Sequence, residues 1–149
     1  MDSVYVKNKK RVKIMSDSKE KKLILMVDDV DFYLTTAEKM LKDKYDIIFA
    51  KSGQEAIDHL VKGALPDIIL LDIVMPIMDG WETYYKLKGI GLLRNIPVVF
   101  VTSLHGEDDV KYAYEIGAAD YIMKPYAQSD LLIRIEKILN NTSKETDQS

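Results

Sequence analysis

The chain of 149 residues has no cysteine, only four prolines and a single tryptophan. The lack of cysteine excludes disulfides, thiolate metal sites and cysteine nucleophiles. No apolar run approaches the about 20 residues that a membrane-spanning helix needs, and the N-terminus lacks the apolar segment of a secretory signal. We therefore expect a cytoplasmic protein without membrane insertion. Its chemistry must come from carboxylates, hydroxyls and amines.

Charge is distributed unevenly along the chain, although the net charge is only −3. Residues 1–22 hold eight Lys and Arg against three acids, which leaves 13 basic and 21 acidic residues in the remainder. We interpret residues 1–22 as a basic, disordered leader, in which Met15 is an alternative start. An arm for nucleic acid or a membrane surface is the other interpretation of this segment. The acidic body itself is not expected to bind nucleic acid directly.

Apolar runs alternate with amphipathic segments from Leu23 onward, a pattern typical of βα units around a parallel sheet. Strands are predicted at Leu23–Val27, Tyr45–Ala50, Asp67–Leu71, Pro97–Val101 and Asp120–Met123. Helices are predicted at Asp31–Lys42, Ser52–Val61, Trp81–Lys88, Glu107–Ile116 and Ser129–Leu139. The strands are almost continuously apolar, which indicates that helices cover both faces of the sheet. The prediction is one α/β domain over residues 23–140, followed by a polar tail at residues 141–149.

Helix ends are marked by small residues. Ser52 and Ser129 are predicted N-caps, and Gly63 and Gly117 stand where left-handed C-caps belong. A serine hydroxyl can accept a hydrogen bond from a free N–H at a helix start, and glycine, which has no Cβ, adopts the left-handed conformation at a helix end.

Polar side chains follow the predicted strands. The first strand is followed by Asp28 and Asp29, the third by Asp72, the fourth by Thr102 and the fifth by Lys124. Carboxyl ends of parallel strands meet at one edge of an open α/β sheet, where ligands bind. We therefore expect these five residues to form one site.

The composition of that site limits its chemistry. Three clustered carboxylates repel one another and require positive charge, and oxygen ligands without His or Cys favour Mg²⁺. Lys124 adds a fixed positive charge and Thr102 a hydroxyl donor, which together suit phosphoryl transfer, with Asp72 as the nucleophile. Each residue alone also has a structural interpretation: an aspartate starts a turn after a strand, and a threonine bonds to its own backbone. The hypothesis depends on all of them occupying the ends of different strands.

Four segments carry a family resemblance. They are Val27-Asp28-Asp29, Leu71-Asp72-Ile73-Val74-Met75-Pro76-Ile77-Met78-Asp79-Gly80, Val101-Thr102-Ser103 and Asp120-Tyr121-Ile122-Met123-Lys124-Pro125-Tyr126. In this order they resemble the response-regulator receiver family of two-component signalling, in its single-domain, chemotaxis-regulator-like form. The resemblance covers residues 23 to 140 and implies a doubly wound, flavodoxin-like sheet with strand order 2-1-3-4-5.

The resemblance also implies roles for the acidic residues. Asp72 would be the phosphoacceptor, Asp29 a direct Mg²⁺ ligand, and Asp28 a ligand mostly through water. The backbone carbonyl of Val74 would complete the protein's share of the metal shell.

Further expectations concern the switch. Thr102 and Lys124 would contact the phosphoryl oxygens, and the Lys124–Pro125 peptide would be cis. Tyr121 would be the aromatic switch residue, on a face made by the fourth helix, the last strand and the fifth helix. Val110 and Tyr114 are expected contacts on that face.

Phosphoryl lifetime and partners complete the expectations. Val74 and Leu104 occupy the family's variable positions and cannot orient water by hydrogen bonding, so at most slow self-dephosphorylation is expected and no further enzyme activity. The donor would be a sensor histidine kinase or a histidine phosphotransfer protein, and an unidentified separate output partner would be controlled. The alternative is a receiver-fold docking module that acts without phosphorylation. A haloacid-dehalogenase-type enzyme would need an aspartate where Val74 stands, and a flavodoxin-like carrier would not place Asp28 and Asp29 against a flavin phosphate.

Overall fold

A computed structural model describes residues 20–148. Five parallel strands form a single sheet in the order β2-β1-β3-β4-β5. The strands are β1 (Lys22–Val27), β2 (Tyr45–Ala50), β3 (Ile68–Leu71), β4 (Val98–Thr102) and β5 (Asp120–Met123). The helices are α1 (Asp31–Leu41), α2 (Gly53–Val61), α3 (Gly80–Lys88), α4 (Glu107–Glu115) and α5 (Gln128–Gln148). The predicted α/β fold, with its strand order, is therefore confirmed.

Two apolar cores lie on opposite faces of the sheet. One contains Leu25, Leu71 and Phe100, and the other contains the preceding residues of the same strands, Ile24, Leu70 and Val99. Successive side chains of a strand point to opposite faces, so both faces of each central strand are buried. This double burial is the reason why these strands are apolar at nearly every position.

Local signals set several helix ends as the sequence predicts. The hydroxyl of Ser52 accepts a hydrogen bond from the backbone N–H of Glu55 at 3.0 Å and caps α2. Gly63 and Gly117 have positive φ angles of 109° and 105°, the left-handed conformation that glycine adopts without steric cost. Asp79 provides a further cap, since its carboxylate accepts the N–H of Glu82 at the start of α3.

The last helix departs from its predicted limits. It begins at Gln128, so Ser129 lies inside it and is not its N-cap. It also continues to Gln148, whereas the sequence prediction ended it at Leu139 and placed a polar tail at residues 141–149. A short 3₁₀ helix at Gly91–Asn95, between α3 and β4, was not predicted from the sequence. The predicted basic leader lies outside the described residues, apart from its last three positions.

Among the residues that the structure describes, no helix is long and apolar enough to span a bilayer. The cytoplasmic location stays a prediction.

Candidate functional site

Three aspartates meet at the carboxyl edge of the sheet. Strand β1 pairs with β3 so that Val27 lies beside Leu71, and the residues that follow these two are Asp28 and Asp72. Each of Asp28, Asp29 and Asp72 offers a carboxylate oxygen, and the three oxygens lie within 4.8 Å of one another. Asp28 and Asp72 are only 3% and 5% exposed, while Asp29 is more accessible.

Lys124 completes the cluster from the end of β5. Its Nζ lies 2.5 Å from Asp28 Oδ2 and 3.2 Å from Asp72 Oδ2, and its side chain is 5% exposed. One ammonium stands against three carboxylates, so the site keeps an excess of negative charge when all four groups are ionised. Because Asp28, Asp72 and Lys124 are buried, this excess is weakly screened and favours a bound cation.

Backbone donors hold the two buried carboxylates. The N–H of Val30 donates to Asp28 Oδ1 at 3.0 Å, and the N–H of Val74 donates to Asp72 Oδ1 at 3.3 Å. In each case the Oδ2 atom accepts from Lys124 instead. Burial raises the pKa of Asp28 above its usual range, although the hydrogen bond from Lys124 opposes that shift.

Gly80 allows helix α3 to start directly against the end of β3. A Cβ atom at this position would lie 2.3 Å from the backbone oxygen of Asp72 and 2.5 Å from Ile73 Cα. The N–H of Gly80 donates to the carbonyl of Ile73 at 2.7 Å, which closes the loop after the strand. Only glycine leaves room for the backbone of Asp72 and Ile73 here, so Gly80, eight positions after Asp72, determines the path of the loop that carries Asp72.

Thr102 and Tyr121 are linked through Leu104. Thr102 is fully buried at the end of β4, and its Oγ1 accepts the N–H of Leu104 at 3.4 Å. The hydroxyl of Tyr121 donates to the carbonyl of Leu104 at 2.8 Å, with its ring turned inward next to Phe100. Burial raises the pKa of Tyr121 to about 12, and the negative charges of Asp109 and Asp72 act in the same direction.

The expected neighbours of Tyr121 on α4 have their own contacts. Val110 is half-buried and packs against the core that contains Tyr121. Tyr114 is exposed, and its hydroxyl donates to Asp120 Oδ1 at 2.8 Å. The same oxygen accepts the backbone N–H of Tyr121, so Tyr114 connects to the β5 strand through Asp120.

Two contacts of Lys124 and one pKa shift beside it were not predicted from the sequence. Lys124 Nζ lies 3.6 Å from the centroid of the Tyr33 ring. His105 Nε2 lies 3.1 Å from the carbonyl oxygen of Lys124 and joins the two loops that follow β4 and β5. The pKa of Tyr126 is raised to about 12 by burial and by the nearby charge of Asp28. The only available signal was position, because each of these residues lies within five positions of a strand-end residue.

The donor chemistry of the cluster fits Mg²⁺. Its side-chain ligands are all carboxylate oxygens, and Mg²⁺ prefers hard oxygen ligands and often keeps several waters beside one or two carboxylates. Asp29 is open enough to reach a partly hydrated ion, whereas Asp28 and Asp72 are the buried side of the site. The Lys124–Pro125 peptide is cis, as the resemblance implies.

Comparisons with known proteins agree with this geometry. The family described as the response regulator receiver domain matches residues 24–136. Response regulator PleD of Caulobacter vibrioides is 38% identical over 116 residues, which cover 77% of this chain and 25% of that protein. The alkaline phosphatase synthesis transcriptional regulatory protein PhoP of Bacillus subtilis is 33% identical over 122 residues, with coverage of 81% and 50%.

Solved structures give the same assignment. A CheY-like response regulator receiver domain protein from Methanospirillum hungatei superposes with a TM-score of 0.77 at 28% identity, covering 85% of this chain and 99% of that one. The receiver domain of a signal transduction histidine kinase from Syntrophus aciditrophicus gives a TM-score of 0.72 at 32% identity, with coverage of 80% and 91%.

This chain spans between a quarter and about half the length of the two curated relatives above. The match to the family itself covers most of the described residues. The chain belongs to the response regulator receiver family of two-component systems, whose domains are signalling switches that accept phosphoryl groups from histidine kinases and act on output partners.

Proposed function

We propose that this receiver domain accepts a phosphoryl group on Asp72 in a Mg²⁺-dependent reaction. The supporting observation is the cluster of Asp28, Asp29 and Asp72, with Lys124 bound to two of its members. Burying carboxylates and a lysine together at the carboxyl edge of the sheet costs folding free energy, and such clusters are typical of sites that bind charged ligands. The phosphodonor is a phosphohistidine on a sensor kinase or on a histidine phosphotransfer protein.

The reaction is a displacement at phosphorus. An oxygen of the Asp72 carboxylate attacks, the bond between phosphorus and the donor's imidazole nitrogen breaks, and that nitrogen keeps the bonding electron pair. Asp28, Asp29, Asp72 and the carbonyl of Val74 would hold the Mg²⁺ ion, which supplies positive charge against the phosphoryl oxygens. Lys124 donates N–H groups to the same oxygens and stabilises their charge in the transition state.

Thr102 and Tyr121 report the phosphorylated state. The Thr102 hydroxyl turns toward the phosphoryl oxygens, and the Tyr121 ring moves with it because both are tied to Leu104. The output surface is the face formed by α4, β5 and α5. One local change of charge thereby biases a surface that has two arrangements.

Two apolar residues near the site favour a long-lived phosphoryl group. The side chain of Val74 is 53% exposed beside Asp72, and Leu104 is half-buried beside Thr102. Neither can donate or accept a hydrogen bond to orient an attacking water. Self-dephosphorylation is therefore slow.

Exposed apolar side chains surround the strand ends and support docking of a phosphodonor protein. They occur on the loops after β1 and β3, at the start of α1, and at the last position of β5, and they are Val30, Phe32, Val74, Ile77 and Met123. Exposed apolar groups next to a polar site are typical of protein–protein contact surfaces.

Intact-mass spectrometry after incubation with acetyl phosphate tests the proposal. Wild type gains one phosphoryl group only when Mg²⁺ is present, and Asp72→Ala gains none because the attacking carboxylate is gone. The matched control is Asp58→Ala, which removes an exposed aspartate from α2 and is labelled like wild type. Equal labelling of wild type and Asp72→Ala would refute the assignment of Asp72. A wild type without Mg²⁺-dependent labelling would support docking without phosphorylation.

A further inference from the structure

Tyr33, in the first turn of α1, packs its ring against the ammonium of Lys124. Lys124 Nζ lies 3.6 Å from the ring centroid, well inside the about 6 Å range of a cation–π contact. Tyr33 is half-buried, and its own ring meets Phe32 edge to face at 5.4 Å between centroids. The contact is shielded from water, because Lys124 itself is buried.

The ring and two carboxylates surround the ammonium together. A lysine ammonium has three N–H donors and no acceptor, and here Asp28 and Asp72 take two of those donors. The face of the Tyr33 ring covers a third side. Without the ring contact, the Lys124 ammonium would be held by the two carboxylates alone.

These carboxylates are the partners that the reaction changes. Asp28 is a proposed metal ligand, and Asp72 becomes an acyl phosphate, so both lose part of their negative charge toward Lys124. The ring of Tyr33 takes no part in either event, and its attraction for the cation persists.

We propose that Tyr33 is a positioning residue for phosphoryl transfer, which holds the Lys124 ammonium over the phosphoryl site while its carboxylate contacts change. This inference rests on the proposed function of Asp72. It assigns the role to the aromatic ring and not to the hydroxyl, since the contact is with the ring face. Tyr33→Phe therefore keeps the role, and Tyr33→Leu loses it while retaining an apolar side chain at a half-buried position.

The first measurement examines the contact in the full chain without metal. Lysine side-chain protons above an aromatic ring resonate upfield, so the ε protons of Lys124 are shifted upfield from those of exposed lysines in wild type and in Tyr33→Phe. In Tyr33→Leu the shift is lost. Wild type alone already decides whether the contact exists, so the test survives a variant that fails to fold. Lys124 protons at the position of exposed lysines in wild type would overturn the proposal.

The second measurement examines the role, with beryllofluoride and Mg²⁺ as the phosphoryl mimic and acetyl phosphate as the donor. Tyr33→Leu binds beryllofluoride about tenfold more weakly than wild type, whereas Tyr33→Phe stays within about twofold. The phosphorylation rate of Asp72 falls in the same order. Tyr85→Leu, which removes an exposed tyrosine ring from α3, is the control and behaves like wild type.

The outcomes separate the two proposals. If wild type binds beryllofluoride and Tyr33→Leu binds it equally well, Tyr33 does not position Lys124, although Asp72 remains the phosphoacceptor. If Tyr33→Phe is as weak as Tyr33→Leu, the hydroxyl and not the ring is responsible, and the proposal is wrong. If wild type itself neither binds beryllofluoride nor is phosphorylated, the proposed function fails and the role of Tyr33 fails with it.

Discussion

At the residue scale, Asp29 contributes charge to the cluster without a compensating contact to Lys124. We predict that Asp29→Asn raises the free energy of unfolding of the metal-free protein by about 1–2 kcal/mol, since it relieves repulsion among neighbouring carboxylates. The same change weakens the stabilisation that Mg²⁺ gives. Urea unfolding in chelator and in excess Mg²⁺ measures both effects.

The matched control is Asp43→Asn, which removes one exposed negative charge outside the cluster. Its free energy of unfolding should stay within about 0.5 kcal/mol of wild type in both solutions. Lower metal-free stability of Asp29→Asn than of wild type would mean that Asp29 is held by favourable contacts and not opposed by its neighbours.

Titration of Tyr121 makes the free energy of unfolding depend on pH in the alkaline range. Its pKa is about 12 in the folded chain and 10.0 ordinarily, so between these values the unfolded chain releases the phenol proton first. The stabilising contribution is therefore complete below pH 10 and is lost as the pH rises toward 12. Tyr121→Phe removes this dependence, together with the hydrogen bond to Leu104, which costs about 1 kcal/mol.

Urea unfolding of the two proteins across this pH range measures the effect. Below pH 10 the variant should be less stable than wild type by a constant amount, and between about pH 10 and pH 12 this difference should shrink and then change sign, because two pKa units correspond to more free energy than the lost hydrogen bond. A difference that stays constant throughout the alkaline range would show that Tyr121 is not the group that titrates there.

Residues differ in how far the sequence predicts their place in the site. The sequence is sufficient to predict that three residues, Asp28, Asp72 and Lys124, lie together, because the carboxyl ends of parallel strands lie at one edge of the sheet. Tyr33 could not be placed in this way, since an aromatic residue on an amphipathic helix normally indicates packing. The inward Tyr121 hydroxyl likewise depends on a rotamer and on the path of a loop, which no periodicity in the sequence encodes.

At the element scale, signals that act on the backbone are more reliable than polarity. Gly63 and Gly117 mark helix ends correctly because a left-handed residue stops the helix. The predicted end of α5 at Leu139 was wrong, because polarity alone does not end a helix. Residues 140–148 are polar but contain neither glycine nor proline, so no residue among them interrupts the helical hydrogen bonds. The prediction of Ser129 as the N-cap of α5 was wrong for a related reason. Gln128, Ser129 and Asp130 can all stand in the first turn of a helix, and their polarity does not indicate which residue precedes it.

Short elements without periodicity escape sequence analysis altogether. The 3₁₀ helix at Gly91–Asn95 has no apolar repeat of helical spacing, and side-chain contacts with the end of α3 help to hold it. Lys88, for example, donates to the carbonyls of Arg94 and Ile96 at 2.9 Å. Such a contact joins the end of α3 to the chain that enters β4. The two bonds span six and eight residues and follow no apolar repeat, so the sequence pattern does not reveal them.

At the scale of the whole molecule, the acidic site and the α4-β5-α5 face are connected by short polar links. Leu104 bonds both to Thr102 and to Tyr121, and His105 contacts the carbonyl of Lys124. Tyr114 on α4 and Arg134 on α5 both bond to Asp120 at the start of β5. A change at the phosphoryl site therefore has a continuous set of contacts through which it can shift the balance between two arrangements of this face.

Amide NMR spectra of the full chain, recorded with and without beryllofluoride in the presence of Mg²⁺, test this coupling. We predict large shifts at the loops around Asp28, Asp72 and Lys124 and, in addition, along residues 107–140, because the displaced Thr102 and Tyr121 alter the packing of α4, β5 and α5. Asp72→Ala is the control and should show neither set. Partner binding should change by about 1–3 kcal/mol on phosphorylation, the usual size of allosteric coupling. If the shifts remain in the three loops while residues 107–140 are unaffected, the site binds the phosphoryl mimic but this face does not read it out.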